Sequence, residues 1–151
     1  SKQASSGYGS KQASSGDYSK QASSGYGSKQ ASSGYGSKQA SSGDYSKQAS
    51  SGYGSKQASS GYGSKQASSG DYSKQASSGD YTHHIADGKN TAICCSGVNS
   101  TAEGIDGTHI SLAEWVNDEC VGFATGCIGK DGLEPKTRYK AKGGKLVEAA
   151  S

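Results

Sequence analysis

The sequence predicts an all-β protein: a parallel β-solenoid with two nonapeptides per 18-residue coil, ending in a small C-terminal β cap. Three observations carry this reading. Residues 1–81 are nine near-identical nine-residue units, SKQASSGYG or SKQASSGDY, and a period this short and regular marks units stacked on copies of themselves. The register never slips through the nine copies, whereas a flexible linker needs only composition. The single proline, Pro135, lies outside the repeats, so every repeat N–H is free to enter a ladder. Composition alone, with 30% hydrophobic residues and a first half rich in Gly, Ser, Lys and Gln, reads as disorder. The strict register argues for a folded stack instead.

Within each unit, S-K-Q-A-S is the strand and S-G-Y-G or S-G-D-Y the turn, where Gly tolerates positive φ. Successive strand side chains point to opposite faces. The Lys at the second position cannot sit unpaired in an interior. Lys2, Lys11, Lys20, Lys29, Lys38, Lys47, Lys56, Lys65 and Lys74 must therefore point outward, and the Ala two places on points outward with them. Ser, Gln and Ser at the first, third and fifth positions point inward. Such a narrow polar interior is stable if each Ser and Gln bonds to its own copy in the next coil. The inward ladder is then Gln3, Gln12, Gln21, Gln30, Gln39, Gln48, Gln57, Gln66 and Gln75.

The frame continues past Tyr81 in three degenerate copies, THHIADGKN, TAICCSGVN and STAEGIDGT, the last with its Gly slipped to Gly107. The same parity turns Thr82, His84 and Ala86 inward, then Thr91, Ile93 and Cys95, then Ser100, Ala102 and Gly104. The interior becomes more apolar toward the C-terminus. Twelve units make six coils, a stack roughly 29 Å long at the inter-strand spacing. A three-sided 27-residue coil is the rival, because the order YG, DY, YG recurs over residues 1–27 and 28–54. The solenoid is expected over residues 1–108, with regular repeats to 81 and degenerate repeats over 82–108.

Residues 109–151 are expected to form the cap. Ile110–Val116 and Cys120–Ile128 read as strands, Lys130-Asp131-Gly132 as a turn, and Thr137–Ala141 with Leu146–Glu148 as a hairpin across Lys142-Gly-Gly-Lys145. This segment holds the only Trp and Phe. A cap blocks the end-to-end stacking that an open solenoid end invites. With no Met and a start in mid-pattern at Ser1, the sequence reads as a fragment of a longer protein. It contains no signal peptide and no transmembrane stretch, and points to no compartment.

The repeat core GYGSKQAS resembles the GYGSTQTA core of bacterial ice-nucleation proteins. That resemblance implies a β-solenoid with inward Ser and Gln, but Lys-x-Ala stands here where those repeats present outward Thr-x-Thr. The chain as a whole resembles a group of uncharacterised bacterial and phage tandem-repeat proteins built on S-x-Q-A-S-S-G-D-Y. Those end in a small β-rich domain of unknown function carrying an LAEW or LAEY strand and a GKxVEV-type terminus. Leu112-Ala113-Glu114-Trp115 and Gly144-Lys145-Leu146-Val147-Glu148 match it. The second resemblance implies a fold and no activity.

The chemistry-bearing residues are few. Cys94, Cys95, Cys120 and Cys127 with His83 and His84 invite a zinc reading, but there is no C-x₂-C pair and strand neighbours point apart. Cys120 and Cys127 could pair across a bend; free thiols are the favoured reading. Asp17, Asp44, Asp71 and Asp80 recur in the turns, without the double Gly of calcium-binding nonapeptides. No nucleophile elbow, phosphate loop or paired carboxylates appear, so an enzyme is not expected, nor a cofactor or a metal. Charge is uneven: residues 1–81 carry nine Lys and four Asp, net +5, and residues 82–151 are net −2. The Lys rows suit polyanions such as nucleic acid or anionic glycan. The favoured alternative is that they solubilise the faces and deter lateral aggregation. The nine repeat Tyr at the turns are expected to stack along one edge, for packing or as a self-association seam. The expected role is a non-enzymatic rigid spacer or display surface, with ice binding and polyanion binding as alternatives.

Overall fold

The computed structural model describes residues 1–149. Each regular nonapeptide yields one four-residue KQAS strand: β1 (Lys2–Ser5), β2 (Lys11–Ser14), β3 (Lys20–Ser23), β4 (Lys29–Ser32), β5 (Lys38–Ser41), β6 (Lys47–Ser50), β7 (Lys56–Ser59), β8 (Lys65–Ser68) and β9 (Lys74–Ser77). The degenerate copies give β10 (His83–Ala86), β11 (Ala92–Cys95) and β12 (Thr101–Gly104). Four longer or later strands follow: β13 (His109–Val116), β14 (Glu119–Cys127), β15 (Tyr139–Lys142) and β16 (Lys145–Glu148).

These strands form two eight-stranded sheets. The first runs β1-β3-β5-β7-β9-β11-β13-β14, and the second β2-β4-β6-β8-β10-β12-β15-β16. Consecutive units thus alternate between sheets, and pairing is parallel with Lys2 opposite Lys20 and Gln3 opposite Gln21. The coil is 18 residues, so the protein is a parallel β-solenoid and the 27-residue coil does not occur. β13 extends the parallel stack, but Ala92 pairs with His109 rather than with the residue that strict 18-residue stepping would give. The last unit is one residue short: Gly107, at φ 88°, is not a seventh-position Gly moved one place on but the closing left-handed residue of the turn, reached one residue early, and Thr108 starts the next unit. β14 then folds back antiparallel on β13, and β15 and β16 form an antiparallel hairpin beside β12.

The turns are hydrogen-bonded coil to coil like the strands. Gly9 N–H donates to the Tyr26 carbonyl at 2.8 Å and Tyr18 N–H to the Tyr35 carbonyl at 2.7 Å. The last residue of every regular turn is left-handed: Gly9 and Gly27 at φ 64° and 66°, Tyr18 and Tyr45 at φ 53° and 55°. Tyr in that conformation costs about 1–2 kcal/mol. In those units the preceding Asp gains a bond, since Asp17 Oδ1 accepts the N–H of Tyr35 and Asp44 Oδ1 that of Tyr62. Asp71 and Asp80 do the same for Lys89 and Val98. The turn aspartates are therefore coil-to-coil braces.

The other turn glycine, at the seventh position, answers a different need. A Cβ on Gly52 would lie 2.0 Å from the Gly34 carbonyl oxygen, and the same clash repeats from Gly25 to Gly97. Close stacking of turn on turn, rather than a positive φ, demands Gly there.

Two cores meet inside. Through the regular repeats the interior is Ser and Gln: Gln21, Gln30, Gln39 and Gln48 are each 2% exposed. From β10 onward it is built round an apolar cluster of Ala86, Ile93, Cys95, Ala102, Ile110, Leu112, Ile128, Leu133 and Tyr139, with His84, Thr91, Ser100 and Thr108 buried beside it.

Candidate functional site

The surface offers two long faces, one on each sheet. Alternation brings Lys2, Lys20, Lys38, Lys56 and Lys74 into file on the first sheet and Lys11, Lys29, Lys47 and Lys65 into file on the second. All nine are exposed. Among the described residues the only acidic–basic contacts within 4.0 Å are those of Glu103 with Arg138 and the imidazole of His83, so the lysine files carry no acidic partners. Beside each file runs a row of Ala, and beyond it a row of exposed Ser. In-register stacking spaces each row at about 4.8 Å.

Beneath the faces runs a glutamine ladder. Gln21 Nε2 donates to Gln3 Oε1, Gln39 to Gln21 and Gln57 to Gln39, each at 2.9 Å. Gln30, Gln48 and Gln66 do the same in the second sheet. The other amide hydrogen crosses the interior to a backbone carbonyl of the facing sheet, as from Gln39 to Ala49 at 2.9 Å and from Gln48 to Ala58 at 3.0 Å. One amide thus ties a coil both to the next coil and to the opposite wall. The serines behave otherwise than expected. The first-position hydroxyl bonds within its own turn, Ser28 to the Gly25 carbonyl and Ser46 to that of Gly43 at 2.7 Å. The fifth-position hydroxyls of Ser32, Ser50 and Ser59 have no partner. Copy-to-copy bonds between hydroxyls are scattered, Ser1 with Ser19 at 3.1 Å, Ser23 to Ser41 at 3.5 Å and Thr82 to Ser100 at 2.8 Å, whereas the longer Gln amide makes a continuous ladder.

The ladder stops where the core changes. Gln75 turns aside, donating to Ser68 Oγ at 3.0 Å and to the Ile85 carbonyl at 2.8 Å. Gln57, Gln66 and Gln75 each bury an Oε1 with no partner. The next residue in register above Gln66 is His84 and above Gln75 is Ile93. His84 is fully buried with its Nδ1 unpartnered, while Nε2 lies 2.9 Å from Ser77 Oγ. Burial, then the neighbouring His83, pushes the His84 pKa down to about 3. His83 faces outward against Thr101, Glu103 and Arg138. Burial, then Arg138 and Lys65, holds it at about 4, so its 3.6 Å contact with Glu103 involves a neutral imidazole at neutral pH.

The cysteines do not come together. Cys94 and Cys95 point to opposite sides of β11, one exposed and one buried, and burial pushes the Cys95 thiol up to about 12. Cys120 and Cys127 do not pair across a bend. Both lie on the continuous strand β14, some 20 Å apart at the usual rise, and all four cysteines are free. Among the described residues no group of three His, Cys, Asp or Glu side chains is placed to hold a metal. Nor is any helix among them long and apolar enough to cross a membrane.

The tyrosines form two ladders, not one. Tyr8, Tyr26, Tyr45, Tyr62 and Tyr81 follow one edge and Tyr18, Tyr35, Tyr53 and Tyr72 the other, with ring centroids 5.1–5.7 Å apart. A two-unit coil has two turns, so it must have two edges.

Two features lay outside the reach of sequence reasoning. Trp115 and Phe123 are exposed at the C-terminal end of the first face, with Trp115 Nε1 donating to the Ser96 carbonyl at 2.9 Å. The Glu114 carboxylate accepts both N–H groups of the Gly143-Gly144 turn, at 2.6 and 2.7 Å. That contact clasps the β13–β14 and β15–β16 hairpins together. No protein-family model, curated protein or solved structure matches this chain.

Proposed function

We propose that the protein is a non-enzymatic structural repeat protein, a rigid spacer that displays two lysine-lined faces, with residues 109–151 acting as the cap. The observation that carries this reading is the uniform coil-to-coil contact. As far as Gln57 and Gln66 each step repeats the same Gln–Gln bond, and every regular turn the same Gly-on-Gly approach, which favours a straight stack. The antiparallel hairpins at the C-terminal end break the repeat pattern, as a terminator of stacking must.

Small-angle scattering on a series with added nonapeptide pairs tests the rod. Each 18-residue insertion is expected to lengthen the particle by about 4.8 Å. Growth of the chain dimension as a square root of repeat number, the behaviour of a flexible coil, would overturn the reading. The in-register faces also favour a second reading, ice binding. Thermal hysteresis in the unmodified protein would make it primary, and its appearance only after Lys→Thr substitution along one face would set it aside.

A further inference from the structure

The two faces share a repeat but are not equivalent, and the difference points to a ligand. On the first sheet an open trough of about 1040 Å³ runs the length of the solenoid, floored by Ala4, Ala22, Ala40, Ala58 and Ala76 with the Ser rows as one wall. A second trough of about 710 Å³ lies on the other side of the same Ala file, walled by Lys2, Lys20, Lys38, Lys56 and Lys74. The trough on the second sheet is smaller, about 610 Å³, and ends at Asp87. Its lysine file also stops sooner, giving way to His83 and Thr101.

The first trough ends differently, at Phe123 beside Cys94 and Ser96. Phe123 and Trp115 are 51% and 36% exposed there, a large apolar surface to leave in water. An unpaired cation every coil, a methyl floor, a hydroxyl wall and an aromatic end-stop are the complement of one kind of chain. It carries regularly spaced anions, hydroxyls along its length and flat C–H faces.

We propose that the first face binds a linear anionic polysaccharide, laid along the Ala file with its carboxylates toward the lysines and one sugar ring packed on Phe123. Sugar C–H faces sit on aromatic rings as other apolar groups do, and the lysine file supplies the counterion-release drive that any polyanion uses. Nucleic acid fits less well. Single strands are held by aromatic platforms beneath successive bases. The repeat tyrosines lie on the turn edges, off the face, and the one arginine, Arg138, sits near His83 of the second sheet. The proposal rests on the display reading above and names its partner class. The scattering series tests the rod independently, so the two can fail separately.

The test is a titration with polygalacturonate, with dextran and a single-stranded oligonucleotide as comparisons, on the unmodified chain and three variants. Polygalacturonate is expected to bind and dextran not, with affinity falling about tenfold or more between roughly 50 and 200 mM salt. A K20Q/K38Q/K56Q variant of the first face is expected to lose about tenfold, and K29Q/K47Q/K65Q of the second face about twofold or less. Phe123→Ser is expected to weaken binding without flattening the salt dependence. All the substituted side chains are exposed, and an unchanged circular dichroism spectrum checks that the variants fold. Equal losses from the two faces, tighter binding of the oligonucleotide, or no polygalacturonate binding would each overturn the assignment.

Discussion

The regular repeats and the strands β10 to β13 stack coils with the same parallel backbone ladder but fill them by opposite means. As far as Gln57 and Gln66 the interior holds two files of glutamines joined by directional bonds, in which every step resembles the last. From β10 onward, Ile93, Ile110, Leu112 and Ile128 bury side chains with no such directionality. A polar ladder can be lengthened indefinitely, because each added coil meets the pattern it presents. An apolar core cannot, because its side chains differ at each level and close on one another. The comparison teaches a division of labour: repetition sets length, and hydrophobic burial anchors one end. In a quasi-one-dimensional stack, stability is a sum of unit and interface terms, so the strongest units sit where folding is anchored.

The largest effect is expected at the anchored end. Leu112→Ala removes a side chain only 1% exposed and should cost about 3–5 kcal/mol in urea unfolding. If it costs less than a mid-repeat substitution, the anchor is misplaced. Second comes a substitution in the repeats that attacks stacking rather than filling. Gly52→Ala forces a methyl against the Gly34 carbonyl and should cost about 3 kcal/mol. Gly54→Ala, at φ 67° with open space around it, should cost only the backbone term of about 1–2 kcal/mol. Equal losses at the two glycines would remove the argument from stacking.

Much of the solenoid was legible because one residue fixed the rest. Lys at the second position cannot face inward, and from that single constraint parity assigns every other strand side chain, through His84 and Ile93 to Ala102. The unread parts all depend on distances between elements. That Gln39 reaches the Ala49 carbonyl depends on how far apart the sheets lie. That Ser50 has no partner depends on the short reach of a hydroxyl. Seventh-position glycines looked like turn residues needing positive φ, but the ninth position takes that conformation and the seventh is Gly for space. Cys120 and Cys127 seemed pairable because a reversing bend was assumed between them, where β14 has only a one-residue bulge at Val121 and stays paired with β13. Of the candidate site, the two lysine files followed from period and parity. Phe123 at the end of the Ala and Ser rows of the first face did not, because only the antiparallel return of β14 brings it there.

Third in size is a break in the ladder itself. Gln48 donates to Gln30 and to the Ala58 carbonyl and accepts from Gln66. Gln48→Ala leaves those groups unpaired in the interior and should cost about 1–3 kcal/mol. Gln3→Ala, at the half-buried first coil, should cost less than about 1 kcal/mol. Chemical denaturation of the two variants side by side measures the gradient along the ladder. A flat gradient would mean that the amides contribute no more inside than at the end.

The smallest effect at neutral pH falls at the boundary, where His84 stands in register above Gln66. Its imidazole is neutral when folded, with a pKa of about 3 against an ordinary value near 6.5. As pH falls below about 6.5 the unfolded chain takes up the proton and the folded chain does not. Stability is therefore complete at neutral pH and declines through acid until about pH 3, by up to about 1.4 kcal/mol per pH unit for this residue. His83, held at about 4, adds a second slope over the narrower window above pH 4. His84→Gln separates the two. It removes one titrating group and offers an amide to the unpartnered Gln66 Oε1, with the Cys94 carbonyl as the cross-wall acceptor that the repeat pattern assigns. The expected outcome at pH 7 is a gain of about 1 kcal/mol, with the acid slope between pH 6 and 4 reduced to the His83 part. A loss at neutral pH would show that the Ser77–His84 contact outweighs one more rung of the ladder, and that the change of core at β10 is held by histidine rather than merely tolerated.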